Sequence, residues 1–292
     1  MGSEMCIRDR DQSLARIPEA NNIAEIQAED MVSVGSTAIG VPDWLNLARR
    51  INELLSGDIF GVVVTHGTAT LEETAYFLHL TVRSKKPVVI TGAMRPPTAI
   101  GTDADLNLLD AIKVAASTDS LAQGVLVVLN NEIHCARDVY KSNTFSVETF
   151  KPNELGFLGY SDSDGKVVFY RSPIRKHTAD TPFNVDHMDD LPRVDIVYSY
   201  AGADGLLINA VRNSESKGLI SLTRPSLTNW ASLGESNFFS ADIATFSVVF
   251  FRLSRFDSER FFCRLGGRES PSAFAVGCGG FLSKILGQSN ST

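Results

Sequence analysis

The chain has 292 residues and a formal net charge of −7, with 43% hydrophobic and 21% charged residues. That is enough for one large domain or two ordinary ones, at a composition ordinary for a soluble globular protein. The acidity and the lack of a basic cluster argue against a nucleic-acid partner, and the longest apolar runs, such as residues 61–65 and 87–90, are too short to cross a membrane.

Residues 1–10 are charged and contain no apolar stretch, so they show no secretory signal; residues 1–13 read as a non-native start. Trp44, Leu47, Ala48, Ile51 and Leu55 follow helical spacing, which predicts an amphipathic helix over residues 42–55 with Asp43 as its cap. Residues 58–65 read as a buried strand. Leu71, Ala75, Leu78 and Val82 make one face of the next helix. A second strand follows over 87–92, then a helix striped by Leu108, Ala111, Ile112 and Ala115, then a third strand over 124–130. Continuous apolar strands alternating with helices predict an α/β fold, with a parallel sheet covered on both faces.

Residues 155–160 and 166–171 flank Ser161-Asp-Ser-Asp-Gly165 and read as a hairpin. The polar, proline-bearing residues 172–192 read as a linker. Residues 194–200, a short helix and Gly218-Leu-Ile220 open a second, smaller α/β domain over 193–220. Beyond residue 221 no period persists. Ten of the 17 Phe and 13 Ser fall in residues 221–292, and the pairs Phe238–Phe239, Phe250–Phe251 and Phe261–Phe262 need a core that no regular element there supplies. The tail reads as truncated or garbled sequence, in a shifted frame or of foreign origin.

The most informative stretch is residues 62–79. A β-branched run ends in the hydroxyl-rich turn Thr65-His-Gly-Thr-Ala-Thr70, and a helix begins at once. Thr70-Leu-Glu-Glu73 has the spacing of a capping box. Strand, turn and helix in that order place Thr65, Thr68 and Thr70 at the carboxyl end of a strand beside a helix N-terminus, where open α/β sheets bind ligands. His66 reads as a structural, hydrogen-bonded histidine and His177 as a surface or interface residue. Cys135 beside His134 reads as a buried thiol, because neighbours along a strand point apart. The cysteines Cys6, Cys135, Cys263 and Cys278 form no C-x-x-C pair, so no metal or dithiol site is expected.

Thr65-His-Gly-Thr-Ala-Thr-Leu-Glu-Glu-Thr74 resembles a signature of the bacterial L-asparaginase and glutaminase-asparaginase family. Gly92-Ala-Met-Arg-Pro96, Asn107 with its helix, Gly124-Val-Leu-Val-Val128, Arg137-Asp-Val-Tyr-Lys141 and Arg175-Lys-His-Thr178 with Thr181-Pro-Phe183 stand in the family's order and spacing. The resemblance covers residues 14–220. It implies a flavodoxin-like first domain over 14–171, a smaller C-terminal α/β domain, a homotetramer, and a periplasmic or cytoplasmic bacterial location. It also implies hydrolysis of a small amino-acid amide, asparagine or glutamine, to the acid and ammonia, with no metal or organic cofactor.

Carried over from the family, Thr68 and Lys141 are the catalytic pair: Thr68 stands at the family's second threonine and Lys141 at its lysine, in a hydrogen-bonded group that activates water or the nucleophile. Ser36 holds the substrate's α-carboxylate, with Thr37, Thr68 and Ala69 beside it in the substrate site. Three departures stand out. Nothing in residues 1–35 resembles the family's Thr-Gly-Gly-Thr-Ile-type first strand, which carries the first nucleophile, so the chain as written is expected to be nearly inactive. Ala69 replaces an aspartate that pairs with the lysine and binds the substrate's ammonium. Thr37 replaces an amide-bearing neighbour of the serine. Stranding a buried lysine costs ~3–5 kcal/mol, so either another carboxylate, Asp103 or Glu72, takes over, or Lys141 is neutral, or the pocket is wet. The Ala69 change equally fits a non-catalytic binding relative.

Overall fold

Apolar patterning on three short strands sets the frame. The computed structural model describes residues 10–222 except residue 163, together with the backbone of Ser247–Val249, in two units that divide after Leu191. In the first unit, helix α1 (Arg10–Ala15) leads through a 3-10 turn (Pro18–Asn22) to a second one (Ser36–Ala38) and then to α2 (Val41–Ser56). Strand β1 (Val62–Thr65), helix α3 (Leu71–Thr81), strand β2 (Val88–Thr91), helix α4 (Ala104–Ala116) and strand β3 (Val125–Leu129) follow in strict alternation. β1, β2 and β3 pair in parallel in that order, with Val62 opposite Val88 and Val88 opposite Val125.

Side-chain alternation along these strands feeds two cores. Val88, Ile90, Val125, Val127 and Leu129 face α2 and α3, packing on Leu45, Ile51, Leu71 and Leu78. Val89, Leu126 and Val128 face the other way, onto Ala111, Val114 and Ala115 of α4. Both faces being covered, β2 and β3 are wholly buried and need no polar alternation. β1 differs: Val62, Val63 and Val64 are only half-buried. It is the terminal strand of the sheet, and its outer edge carries no strand among the described residues.

The sheet is mixed where a parallel one was expected. β4 (Glu132–Cys135), β7 (Gly159–Ser161) and β8 (Val167–Phe169) extend it antiparallel beyond β3, giving the order β1-β2-β3-β4-β7-β8. The β7–β8 pair is the expected hairpin, closed at Gly165 with φ 84°. β3 and β4 turn back through Asn130 and Asn131, both at positive φ. Between β4 and β7, β5 (Val139–Lys141) and β6 (Phe150–Pro152) form a separate two-stranded ribbon.

Residues 172–192, expected to be a linker, pack on the first unit. Val185 enters the α2–α3 core, the Thr181 hydroxyl donates to the Leu80 carbonyl at 2.6 Å, and Arg83 reaches the Phe183 carbonyl at 3.2 Å. His177, expected at a surface or an interface, is buried within the first unit against His79, with ring centroids 5.2 Å apart. In the second unit β9 (Val194–Tyr198), α5 (Leu206–Arg212) and β10 (Gly218–Leu222) form a parallel βαβ around Val197, Ile208 and Leu219, and β11 (Ser247–Val249) pairs antiparallel with β10. Apart from Leu222 and its neighbour in β10 and the β11 backbone, the expectations for residues 221–292 lie outside the described residues, as do those for residues 1–9. No helix among the described residues is long and apolar enough to cross a membrane.

Candidate active site

The parallel strands β1 and β2 end side by side, Thr65 opposite Thr91, and the chain leaves β1 through residues 66–70 into α3. Three sets of hydrogen bonds shape this turn. The His66 N–H donates to the Thr91 carbonyl at 2.8 Å. The His66 ring donates from Nδ1 to the Gly67 carbonyl at 2.7 Å, so Nε2 is the acceptor and takes the Thr74 hydroxyl at 2.9 Å. Thr74 Oγ1 in turn accepts from the Trp44 indole at 2.8 Å. His66 is thus a structural histidine that ties the turn to α2 and α3, as its context suggested.

The capping box does not form. Thr70 is the N-cap of α3, but its hydroxyl makes no cap bond and donates instead to the Ser36 carbonyl at 2.8 Å. Asp43 does cap its helix, from the third helical position: its carboxylate accepts from the N–H of the N-cap Gly40 at 2.9 Å. Thr70 differs because its hydroxyl takes the partner that tertiary structure brings nearest, and spacing alone does not reveal that partner.

Ser36 is buried and the turn is pressed against it. A Cβ on Gly67 would stand 2.8 Å from Ser36 Oγ, so only glycine fits. Gly92, at the end of β2, is equally tight: a Cβ there would lie 2.5 Å from the His66 carbonyl and 3.2 Å from Thr68 Cγ2. The loop after Gly92 is clamped by α4. Asp103 accepts from the Met94 and Arg95 N–H groups at 2.9 and 2.8 Å, and Asn107 Nδ2 donates to the Gly92 carbonyl at 2.9 Å.

Thr68 is buried at the crest of the turn, and Lys141 Nζ donates to its Oγ1 at 2.9 Å. The lysine arrives from β5, 73 residues away in sequence. A hydroxyl in contact with an amine can be activated in two ways. An ammonium stabilises the alkoxide form; a neutral amine accepts the proton outright. Of the other expected substrate residues, Ser36 lies against the turn, Ala69 is half-buried next to Thr68, and Thr37 is exposed.

The two candidate replacement carboxylates separate clearly. Asp103 is committed to the 94–95 loop and to Asn107 Nδ2 at 3.0 Å. Glu72 accepts from the backbone N–H of Lys141 through Oε2. Its neighbour Glu73 has its carboxyl raised above the usual range by burial and by the charge of Glu72. Away from the turn, burial pushes the Cys135 thiol up to about 11, which leaves it protonated and inert beside His134. Among the described residues no group of three or more His, Cys, Asp or Glu could hold a metal ion. The β5–β6 ribbon and the Trp44–Thr74–His66 chain were not visible in the sequence; three-residue strands carry no readable period.

The parallel strands of a mixed α/β sheet thus bring a buried threonine against a lysine amine at their carboxyl ends. The asparaginase N-terminal family model matches residues 3–175, more than half of the chain, and the chain belongs to the asparaginase family. It is 50% identical over 205 residues to L-asparaginase 2 of Bacillus subtilis (strain 168), covering 70% of this chain and 54% of that protein. It is 48% identical over 212 residues to a probable periplasmic L-asparaginase of Haemophilus influenzae, covering 72% of this chain and 60% of that one. The chain therefore spans little more than half the length of these relatives. The crystal structure of a probable cytoplasmic L-asparaginase from Campylobacter jejuni superimposes with a TM-score of 0.71 at 40% identity, over 74% of this chain and 68% of that one.

Proposed function

We propose that the chain carries part of an amidohydrolase site that cleaves the side-chain amide of L-asparagine or L-glutamine, with Thr68 and Lys141 as its catalytic pair and Ser36, Thr37 and Ala69 lining the substrate position. The observation that carries this reading is the 2.9 Å contact between Lys141 Nζ and Thr68 Oγ1 at the carboxyl end of the parallel strands. Thr68 and Lys141 take a proton from a water, or from the threonine that the family carries on its first strand; the activated oxygen attacks the amide carbon, the proton passes to the departing nitrogen, the C–N bond breaks and ammonia leaves, and water hydrolyses any acyl-threonine formed to give the acid. Ser36 is near enough to the turn to bind a substrate carboxylate. The reaction needs no cofactor, and the same proposal includes a homo-oligomer, a tetramer by resemblance. The compartment named for one relative is the periplasm and for another the cytoplasm, and the reading fits either.

Ammonia release from asparagine and glutamine tests it in a full-length version that carries the family's first strand; the chain as written is expected to release almost none. Thr68→Val and Lys141→Met are each expected to lower the rate by about 10²-fold or more, the scale of losing a positioned acid–base partner. Hydrolysis that survives both substitutions would sink the proposal.

One observation favours a second reading. Ala69, half-buried beside Thr68, offers no charge to a substrate ammonium or to Lys141. A non-catalytic relative that binds a small amino acid fits this. Calorimetry with asparagine and aspartate on the full-length version separates the two: binding without ammonia release supports the second reading and turnover removes it. Ala69→Asp then asks whether restoring the carboxylate raises the rate.

A further inference from the structure

The Thr68–Lys141 contact joins two elements that have no strand pairing with each other. Thr68 rides on the turn between β1 and α3. Lys141 ends β5, half of a two-stranded ribbon paired only with β6, Lys141 opposite Phe150. A two-stranded ribbon is marginally stable by itself, so something must fix its distance from α3. Backbone alternation identifies where. The Ser142 N–H points inward and donates to the Thr149 carbonyl at 2.7 Å. The N–H of Lys141, one residue earlier, therefore points out of the ribbon, toward α3. The group that receives it is the carboxylate of Glu72 in the first turn of α3.

We infer that Glu72 is the positioning residue of the site: by gripping the outward N–H of Lys141 it holds the ribbon against the start of α3 and so keeps the lysine amine on Thr68. The three residues form a closed ring. Thr68 and Glu72 are four residues apart on one rigid turn-and-helix start, and Lys141 is held by both, through its side chain at one end and its backbone at the other. Two fixed points leave the lysine chain little freedom, which is what a proton-transfer partner requires. Asp103, the other carboxylate near the strand ends, cannot share this task because its oxygens serve Met94, Arg95 and Asn107. The inference rests on the site reading above but is tested without turnover.

The test is hydrogen exchange at the Lys141 amide, together with competitive acetylation of its side-chain amine in the whole chain, read by mass spectrometry against Lys151 and Lys166 as internal standards. Glu72→Ala is expected to speed both by about tenfold, the scale of one charge-assisted hydrogen bond. Glu72→Gln keeps an acceptor of the same reach and is expected to stay within about twofold of the parent. Glu72→Asp keeps the charge, is one methylene short, and is expected to behave as Glu72→Ala does; this milder variant also guards against a Glu72→Ala chain that fails to fold. The inference is overturned if Glu72→Asp matches the parent at Lys141, or if Glu72→Gln is as fast as Glu72→Asp. Failure of the amidohydrolase reading shows up separately, as absent ammonia release from a full-length version that carries the family's first strand, with these exchange and labelling ratios intact.

Discussion

His79 shows how one buried residue sets the behaviour of the molecule in acid. It is fully buried at the end of α3, its Nδ1 accepts the Val125 N–H at 3.2 Å, and its ring lies against His177. Burial pushes its pKa down to about 3, helped by the nearby His177 and Arg137. His177 is shifted the same way, also chiefly by burial. In the unfolded chain a histidine takes up its proton near pH 6.5; in the fold His79 refuses it down to about pH 3. This contribution to stability is therefore complete above pH 6.5 and is lost as pH falls through that window, by ~3 kcal/mol at pH 4.5 from His79 alone. Urea midpoints at pH 7 and pH 4.5 should show the loss, and His79→Gln should flatten the dependence. Gly124 belongs to this arrangement: at φ 78°, a Cβ there would stand 2.6 Å from the His79 ring. None of this could be read from sequence, where His79 is one polar letter in an apolar helix and His177 looks like part of a surface loop.

The union of elements is clearest at Asp110 on α4. Its buried carboxylate accepts from Lys113 Nζ at 2.9 Å, from the Ser161 hydroxyl of β7 at 2.9 Å and from Asn131 Nδ2 at 3.0 Å. One side chain thus ties α4 to the β3–β4 turn and to the antiparallel half of the sheet. Asp110→Ala should cost ~3 kcal/mol, because it strands a half-buried lysine and takes its carboxylate partner from the buried Ser161 hydroxyl. Asp110→Asn should cost less, and thermal melts of the two variants would check the order. Within elements the sequence was informative. Leu71, Ala75, Leu78 and Val82 are all buried as their spacing required, and so are Leu108, Ala111, Ile112 and Ala115. Between elements it was not. The antiparallel extension had one local cue, Asn130-Asn131, two residues that tolerate positive φ and suit a tight hairpin turn. The contact of Thr68 with Lys141 had no local cue, since neither residue's own segment specifies it; only the family resemblance pointed to the pair.

At the scale of the whole molecule, the polarity of residues 172–192 misled. Prolines and charges suggested a free connection, yet Val185, Met188 and Leu191 pack on the α2–α3 core. A few apolar anchors spaced along a polar segment are enough to hold it down, because burying each one contributes ~1.5–3 kcal/mol. The half-buried strand β1 has a different consequence. Val62 and His66 donate to β2, so the amides of Val63 and Thr65 face the opposite way, along a flank without a paired strand among the described residues. Such a flank is a seed for sticking to another copy, by hydrogen bonds that salt does not screen. Sedimentation velocity should reveal association that rises with concentration and ignores ionic strength. Thr65→Pro removes one outward amide at an exposed residue and should weaken that association severalfold; equal clumping by both chains would show that the stickiness arises elsewhere.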